Sequence, residues 1–406
     1  MIYVGIDIAK YSHELAIVDE KGAVLKPHLS FSNSIKGFER FVSAVQKFEP
    51  DIKQITVGME ATGHYYLNLY CHLKDLGYTV AVINPLQSNS FRDYYIRQCK
   101  TDARDSLLIA EIMRFGKYTN SQLSDEKYYA LKQLSRYRAA AADSLTNFKN
   151  QIICLLDRVF PEYQSLFFDT LGAASKELLA KYCLPEEIIA VPTDKLFDIL
   201  NEASNRSFKY AKAEELKALA ETSVGITFAT ETTKFQIQLL LEQVKFMESV
   251  IKKIDSKITK LVKQTGTTLT TIPGIGFVHA GCILGEIGDI NRFDSAAKLV
   301  AYAGIDPSIR QSGQFTSRNT GISKRGSSYL RRSLFLAAAI AQNCDPVLSA
   351  YYQKKKAEGK HHYVATLAVA RKMVYIIHAV MKNNSVYSVD TYSEKAAVAE
   401  AHRNKT

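Results

Sequence analysis

Four carboxylates in this chain are spaced so that one α/β unit could gather them. Asp7 interrupts the apolar, β-rich run Met1-Ile-Tyr-Val-Gly-Ile-Asp-Ile-Ala-Lys10. A buried strand avoids a lone charge unless something pairs with it, and hard divalent cations take carboxylate oxygens. An Asp at a strand end can equally cap a turn. Glu60 follows a second apolar run, in Met59-Glu-Ala-Thr-Gly63. Asp102 and Asp105 lie i, i+3 in Lys100-Thr-Asp-Ala-Arg-Asp105, which puts both on one helix face. Taken alone, that pair is also explained as an acidic, capped first turn.

The elements that must position these groups are legible as periodicity. Ile2–Ile8, Glu14–Val18 and Val24–Phe31 read as strands, the last two joined by a turn at Asp19-Glu-Lys-Gly22. Ser34–Phe48 has helical spacing with Asn33 or Ser34 as N-cap. Ile52–Met59 reads as a strand, His64–Leu76 as a helix stopped by Gly77, and Tyr78–Ile83 as a strand stopped by Asn84-Pro85. Thr101–Phe115 reads as a helix closed by Gly116. Three antiparallel strands followed by alternating α and β form the pattern of a ribonuclease H-like sheet. In such a sheet the first and fourth strands are neighbours, and their ends converge with the last helix. Four carboxylates meeting there would repel one another unless cations intervened. Two Mg2+ ions ~4 Å apart would meet that need and serve phosphodiester chemistry. The ligand type, oxygen with no His or Cys cluster, favours such a metal.

The order of the three acidic motifs resembles the DEDD transposases of bacterial insertion sequences, the "one-ten" family related to the Piv DNA invertases. The N-terminal domain of that family is similar to the RuvC Holliday-junction resolvase. The resemblance covers roughly residues 1–120 and 267–385, and all four acids, Asp7, Glu60, Asp102 and Asp105, match the family's quartet. It implies a RuvC-like catalytic domain at 1–120 and a transposase C-terminal domain at 267–390; the tail at 391–406 reads as polar from its composition.

Between these ends the composition shifts to Leu, Lys, Glu, Ala and Gln. Tyr128–Val159 and Phe235–Val262 have apolar residues near heptad spacing, and residues 121–266 read as a helical coiled-coil and dimerisation region. An ordinary helical bundle is the plainer alternative. The expected fold class is therefore α/β plus all-α.

The C-terminal part is helical, basic and punctuated by glycine. Leu269-Thr-Thr-Ile-Pro-Gly-Ile-Gly276 has the form of a helix-hairpin-helix segment. There Gly274 and Gly276 would let the backbone approach a phosphate beside a helix N-terminus. A tight turn between packed helices is the alternative. Arg310, Arg318, Lys324, Arg325, Arg331 and Arg332 then form a basic cluster suited to a nucleic-acid backbone. Ser312 lies inside it, before a glycine. A Ser-Gly in a loop is commonly only a turn, but the family has a serine in this Arg-x-Ser-Gly setting. The resemblance implies that Ser312 attacks DNA and forms a phosphoserine link, with Ser323 as runner-up. It further implies a structured guide RNA encoded in the element, whose base pairing would carry the sequence choice.

The net charge of +11 over 406 residues fits a polyanionic partner without requiring one. The six cysteines are scattered singly, which argues against a zinc site and for reduced thiols in the cytoplasm. No leader and no membrane span are expected. The reading is thus a homo-oligomeric, nucleoid-associated DNA recombinase. The alternative is a metal-dependent junction nuclease without a covalent serine step. A sugar kinase or actin-like ATPase also begins with a strand and Gly-Ile-Asp, but it would need a second phosphate loop that the sequence lacks. A coiled-coil scaffold with decayed sites would not keep the quartet.

Overall fold

The computed structural model describes residues 1–61, 63–92, 102–116, 125–204, 207–308, 311–312, 315–316 and 321–389. Lys100, Thr101, Arg310, Arg318 and the polar tail at 391–406 lie outside these residues, and so do the side chains of Asp102 and Ser312. The chain divides into two units, Met1–Leu123 and Ser124–Thr406.

Unit 1 is built on a five-stranded sheet. Its strands are β1 (Ile2–Ile8), β2 (Ser12–Asp19), β3 (Val24–Ser32), β4 (Ile55–Glu60) and β5 (Thr79–Ile83), in the spatial order β3-β2-β1-β4-β5. β1, β2 and β3 pair antiparallel, while β4 runs parallel to both β1 and β5. Alternation along the strands sorts residues between two faces. Ile2, Val4, Ile6, Leu15, Ile17, Val57 and Met59 form a core with Phe38, Phe41 and Val45 of α1 (Ile35–Gln46) and Leu69 and Leu73 of α2 (Tyr66–Asp75). Ser34 caps α1, accepting from the Gly37 N–H. Ile52–Gln54 is a single 3-10 turn capped by Asp51, so the fourth strand starts at Ile55 and Glu60 is its last residue rather than the residue beyond it. Pro85 opens a further helix, α3 (Pro85–Arg92), because proline is tolerated in a first turn. α4 (Asp102–Phe115) covers the opposite face of the sheet.

Unit 2 hangs on two long helices, α5 (Glu126–Val159) and α10 (Thr230–Thr265). They run antiparallel within the one chain: Leu131 shares a core with Ile258 and Val262, and Ile152 and Leu156 share another with Ile237 and Val244. The second core, at the tip, is completed by α6 (Ala173–Lys181), α7 (Pro185–Ala190), α8 (Thr193–Ala203) and α9 (Ala211–Glu221). The first core, at the base, takes in α11 (Phe277–Ile287), α12 (Ala296–Ala303), α13 (Ser328–Cys344), α14 (Pro346–Ala357) and α15 (His362–Asn383). α11 enters against the long pair through two glycines. A Cβ on Gly285 would lie 2.4 Å from the Lys132 backbone nitrogen, and one on Gly281 would lie 2.6 Å from Ile258.

α15 is the longest of the helices α11 to α15 in the base core. By length and composition it could cross a membrane. Its residues Val369, Met373, Val374, Ile377 and Val380 are instead buried in the base core, which accounts for their apolarity.

Candidate functional site

The carboxylate face of unit 1 is assembled by two glycines. A Cβ on Gly5 of β1 would lie 2.0 Å from the Ser106 carbonyl oxygen and 2.3 Å from the Ala110 nitrogen. A Cβ on Gly58 of β4 would lie 2.5 Å from Met113. Their absence lets α4 lie hard on the sheet. Two residues further along each strand, on the same face, come Asp7 and Glu60. The pairing of Ile6 with Met59 makes them lateral neighbours. Asp105 is buried one turn back along α4, beside Ser106, which packs on Gly5. The Asp102 backbone opens the same helix. Ser88 of α3 is fully buried and donates to Glu60 Oε2 at 2.7 Å.

Sequence reasoning missed Glu14. It stands directly opposite Asp7 across the β1–β2 hairpin and therefore on the same face. Its Oε2 is buried without a hydrogen bond, 3.8 Å from Nδ1 of His28. The hairpin register was the signal that could have found it. Across β2, β1 and β4 the strand ends thus present Glu14, Asp7 and Glu60 in a row. The donor set is all oxygen, the chemistry that hard divalent cations accept. Among the described residues, no three ligating side chains are drawn close enough to hold one ion.

The serine segment of unit 2 is a ribbon. Gly304 takes up the αL conformation after α12, and the chain leaves and returns along itself. The Ser323 N–H bonds the Asp306 carbonyl, the Ser308 N–H bonds the Gly321 carbonyl, and Pro307 bridges Ile322. At the far end β6 (Gln311–Ser312) pairs with β7 (Phe315–Thr316), with Ser312 opposite Phe315. Ser312 is therefore on the last described pair of the ribbon. Ser323 is at the base, where its hydroxyl donates to Asp306 Oδ1 at 2.5 Å and accepts from the Arg325 N–H.

The ribbon stands on a buried carboxylate that the sequence reading passed over. Glu286 is a lone acid in the apolar α11, and its side chain has no solvent exposure. Arg136 of α5 donates to both of its oxygens, at 2.6 and 3.0 Å, and Ser327, the N-cap of α13, donates to Oε2 at 2.9 Å. The Tyr302 hydroxyl and Arg292 donate to its backbone carbonyl. Side-chain hydrogen bonding to Glu286 pushes the Arg136 pKa up, while burial pushes that of Lys132 beside it down.

Of the expected basic contacts, Lys324 and Arg325 are exposed at the ribbon base. The Arg331 guanidinium instead donates to the Ala303 carbonyl at 3.0 Å, closing α12. Arg332 pairs with Asp143 of α5 at 2.7 Å, an acid remote in sequence from the cluster. Gly274 has φ +85°, and a Cβ there would meet the Ala337 carbonyl of α13 at 2.3 Å, so close helix packing explains this glycine. Gly276 is exposed at the α11 N-terminus with open space around it.

Comparison with known proteins finds matches in both units of the chain. A DEDD transposase profile of the IS110 type matches residues 4–161, and the profile of the IS116/IS110/IS902 transposase family matches residues 266–353. The chain belongs to the IS110/IS116/IS902 transposase family. Such transposases are enzymes that cleave and rejoin DNA. The first match spans the carboxylate face and α5, and the second spans α11 to α13 with the serine ribbon. Among relatives, the 43.6 kDa protein of insertion element IS110 from Streptomyces coelicolor is 28% identical over 77% of this chain and 78% of its own length. The pilin gene-inverting protein of Moraxella bovis is 22% identical over 94% of this chain and 96% of its own. The transposase of insertion sequence element IS1111A from Coxiella burnetii is 23% identical over 94% and 90%.

Proposed function

We propose that this transposase cuts and rejoins DNA through two chemistries, a divalent-metal site on the α4 face of unit 1 and a serine nucleophile, Ser312, on the ribbon of unit 2. The observation that carries the reading is the placement of Asp7 and Glu60 side by side under α4, with Asp105 buried on the helix above them. The sheet order and strand directions support a ribonuclease H-like, RuvC-like unit. Asp7, Glu60, Asp102 and Asp105 are the residues that would hold Mg2+, a pair of ions in our reading. When bound there, the metal supplies charge stabilisation for the attacking and leaving oxygens. Glu60 is oriented for this by the Ser88 hydroxyl.

A serine hydroxyl is a poor nucleophile until its proton is removed and the developing charge is met. The Ser312 backbone pairs with Phe315 in the β6–β7 hairpin, away from the Asp306–Ser323 framework at the ribbon base. Ser323, by contrast, is committed to Asp306 and Arg325. Arg310, Arg318, Lys324 and Arg325 would steady the phosphates of the strand under attack, with Gly276 offering backbone approach at the α11 N-terminus. We place the protein at bacterial DNA in the cytoplasm, guided by a structured RNA of the element. It would act as a homo-oligomer joined through the outward face of α10, where Phe235, Leu239 and Phe246 are 60%, 42% and 66% exposed.

The test is to denature the reaction part-way, with Mg2+ and element-end DNA, and look for DNA attached to protein. The expected result is an adduct whose peptide contains Ser312, lost in Ser312→Ala. In Asp7→Ala, cleavage should fall by about a thousandfold or more, the scale on which such charge stabilisation operates. Cleavage without any adduct would favour hydrolysis by a junction-type nuclease, and an adduct mapped to Ser323 would move the nucleophile to the ribbon base.

A further inference from the structure

The outward face of α10 changes character half-way along. In its first half the lysines are committed within the chain: Lys234 pairs with Glu187 and Lys245 with Glu177, while Lys176 reaches Glu248 of α10. These pairs fasten the tip helices to the arm. In the second half, Lys252, Lys253, Lys257, Lys260 and Lys263 are all exposed, and none forms an ion pair among the described residues. The one acid beyond Glu248, Asp255, is turned inward onto Arg138 of α5. At ~100° per residue the five lysines fall within an arc of about 140°, opposite the buried Ile254, Ile258 and Val262. With a rise of ~1.5 Å per residue the row is about 16 Å long.

We propose that this lysine row is a docking surface for the sugar–phosphate backbone of double-stranded DNA. Five cations on a straight rod, with no acid on the same face, complement a polyanion. Lysine supplies mobile point charges rather than the planar fork that reads base edges. Single-strand binders interleave aromatic stacking platforms with their cations; Ser249–Thr265 contains no aromatic residue, and Phe277 meets the row only at its end, under Lys263, which favours a duplex. The choice of DNA over an RNA duplex rests on the transposase reading above. The surface is distinct from the ribbon-base cations, two of which are occupied by Ala303 and Asp143.

The full chain carrying Lys253→Gln, Lys257→Gln and Lys260→Gln would be titrated with a labelled 30-base-pair duplex of arbitrary sequence from low to high NaCl. A thermal melt would check that the fold is kept. Each lost phosphate contact lowers the slope of log K against log salt by ~0.9, so the triple variant should lose about 2 to 3 in slope and bind more than tenfold more weakly at low salt. Lys234→Gln with Lys245→Gln should leave the slope unchanged. An unchanged slope in the triple variant, an equal loss in the tip control, or a loss seen only with an RNA duplex overturns the proposal. Absence of duplex affinity in the unmodified protein would instead sink the DNA-processing reading on which it rests.

Discussion

The carboxylate face and the serine ribbon are supported in opposite ways. The first is held by regular structure: strand register sets Asp7 beside Glu60, and two missing Cβ atoms set the height of α4 above them. The second is an excursion between two helices, held upright by polar side chains that converge on one buried carboxylate, Glu286. Backbone register tolerates changes of side chain as long as the pattern is kept. A polar hub does not, because each group left without its partner carries a desolvation cost.

That difference can be broken at three points. The largest effect is expected at the hub. Glu286→Ala leaves Arg136 without its bidentate partner in a half-buried place and should destabilise unit 2 by about 3–5 kcal/mol. Denaturant unfolding should show unit 1 unmoved, whereas an equal loss in both units would mean the support is shared. Next comes the glycine seat of α4. Gly58→Ala adds a methyl 2.5 Å from the flexible Met113 side chain, so unit 1 should lose about 1–3 kcal/mol. Gly5→Ala meets backbone instead and should cost more than Gly58→Ala; the reverse order would refute the seat.

The smallest effect concerns His13, buried against Phe31 and Phe38 on the opposite face of the sheet. Burial pushes its pKa below the ordinary 6.5, outweighing a hydrogen bond with Asn33. Its neutral ring therefore contributes stability in full above pH 6.5, and that contribution is lost as the pH falls from 6.5 through the lower folded value. Unit 1 should be less stable at pH 5.5 than at pH 7, and His13→Phe should flatten that dependence. A dependence of the same size in the variant would assign it to other groups.

What the sequence made legible follows the same division. Strand periodicity gave β1 to β5 within a few residues, and the spacing of the acidic motifs put Asp7, Glu60 and Asp105 on elements that pack together. Asn84-Pro85 was read as a stop although proline also opens helices, and so α3, with its Ser88 contact to Glu60, went unseen. Glu14 needed the hairpin register, since spacing alone does not say which residues face each other. In unit 2 the partners of Arg331, Arg332 and Ser327 lie at Ala303, Asp143 and Glu286, and a local reading of a basic cluster cannot supply them. Heptad spacing marked both long helices, but not that α11 is wedged against them.

The two cores strung along α5 and α10 have a consequence for how the chain finds its fold. Contacts at the base join Leu131 to Ile258, and the entropy of closing a loop grows with its length. The tip core draws on Ile152 to Val244, a stretch rich in neighbouring helices whose contacts are closer in sequence. Once the tip has condensed, the residues between Leu131 and Ile258 no longer form a free loop, and the two helices can zip toward the base one turn at a time. The tip then acts as the pin of a clasp. What the clasp shortens is the loop that Leu131 and Ala141 must close to reach the base core, whose other buried residues lie within 254–380.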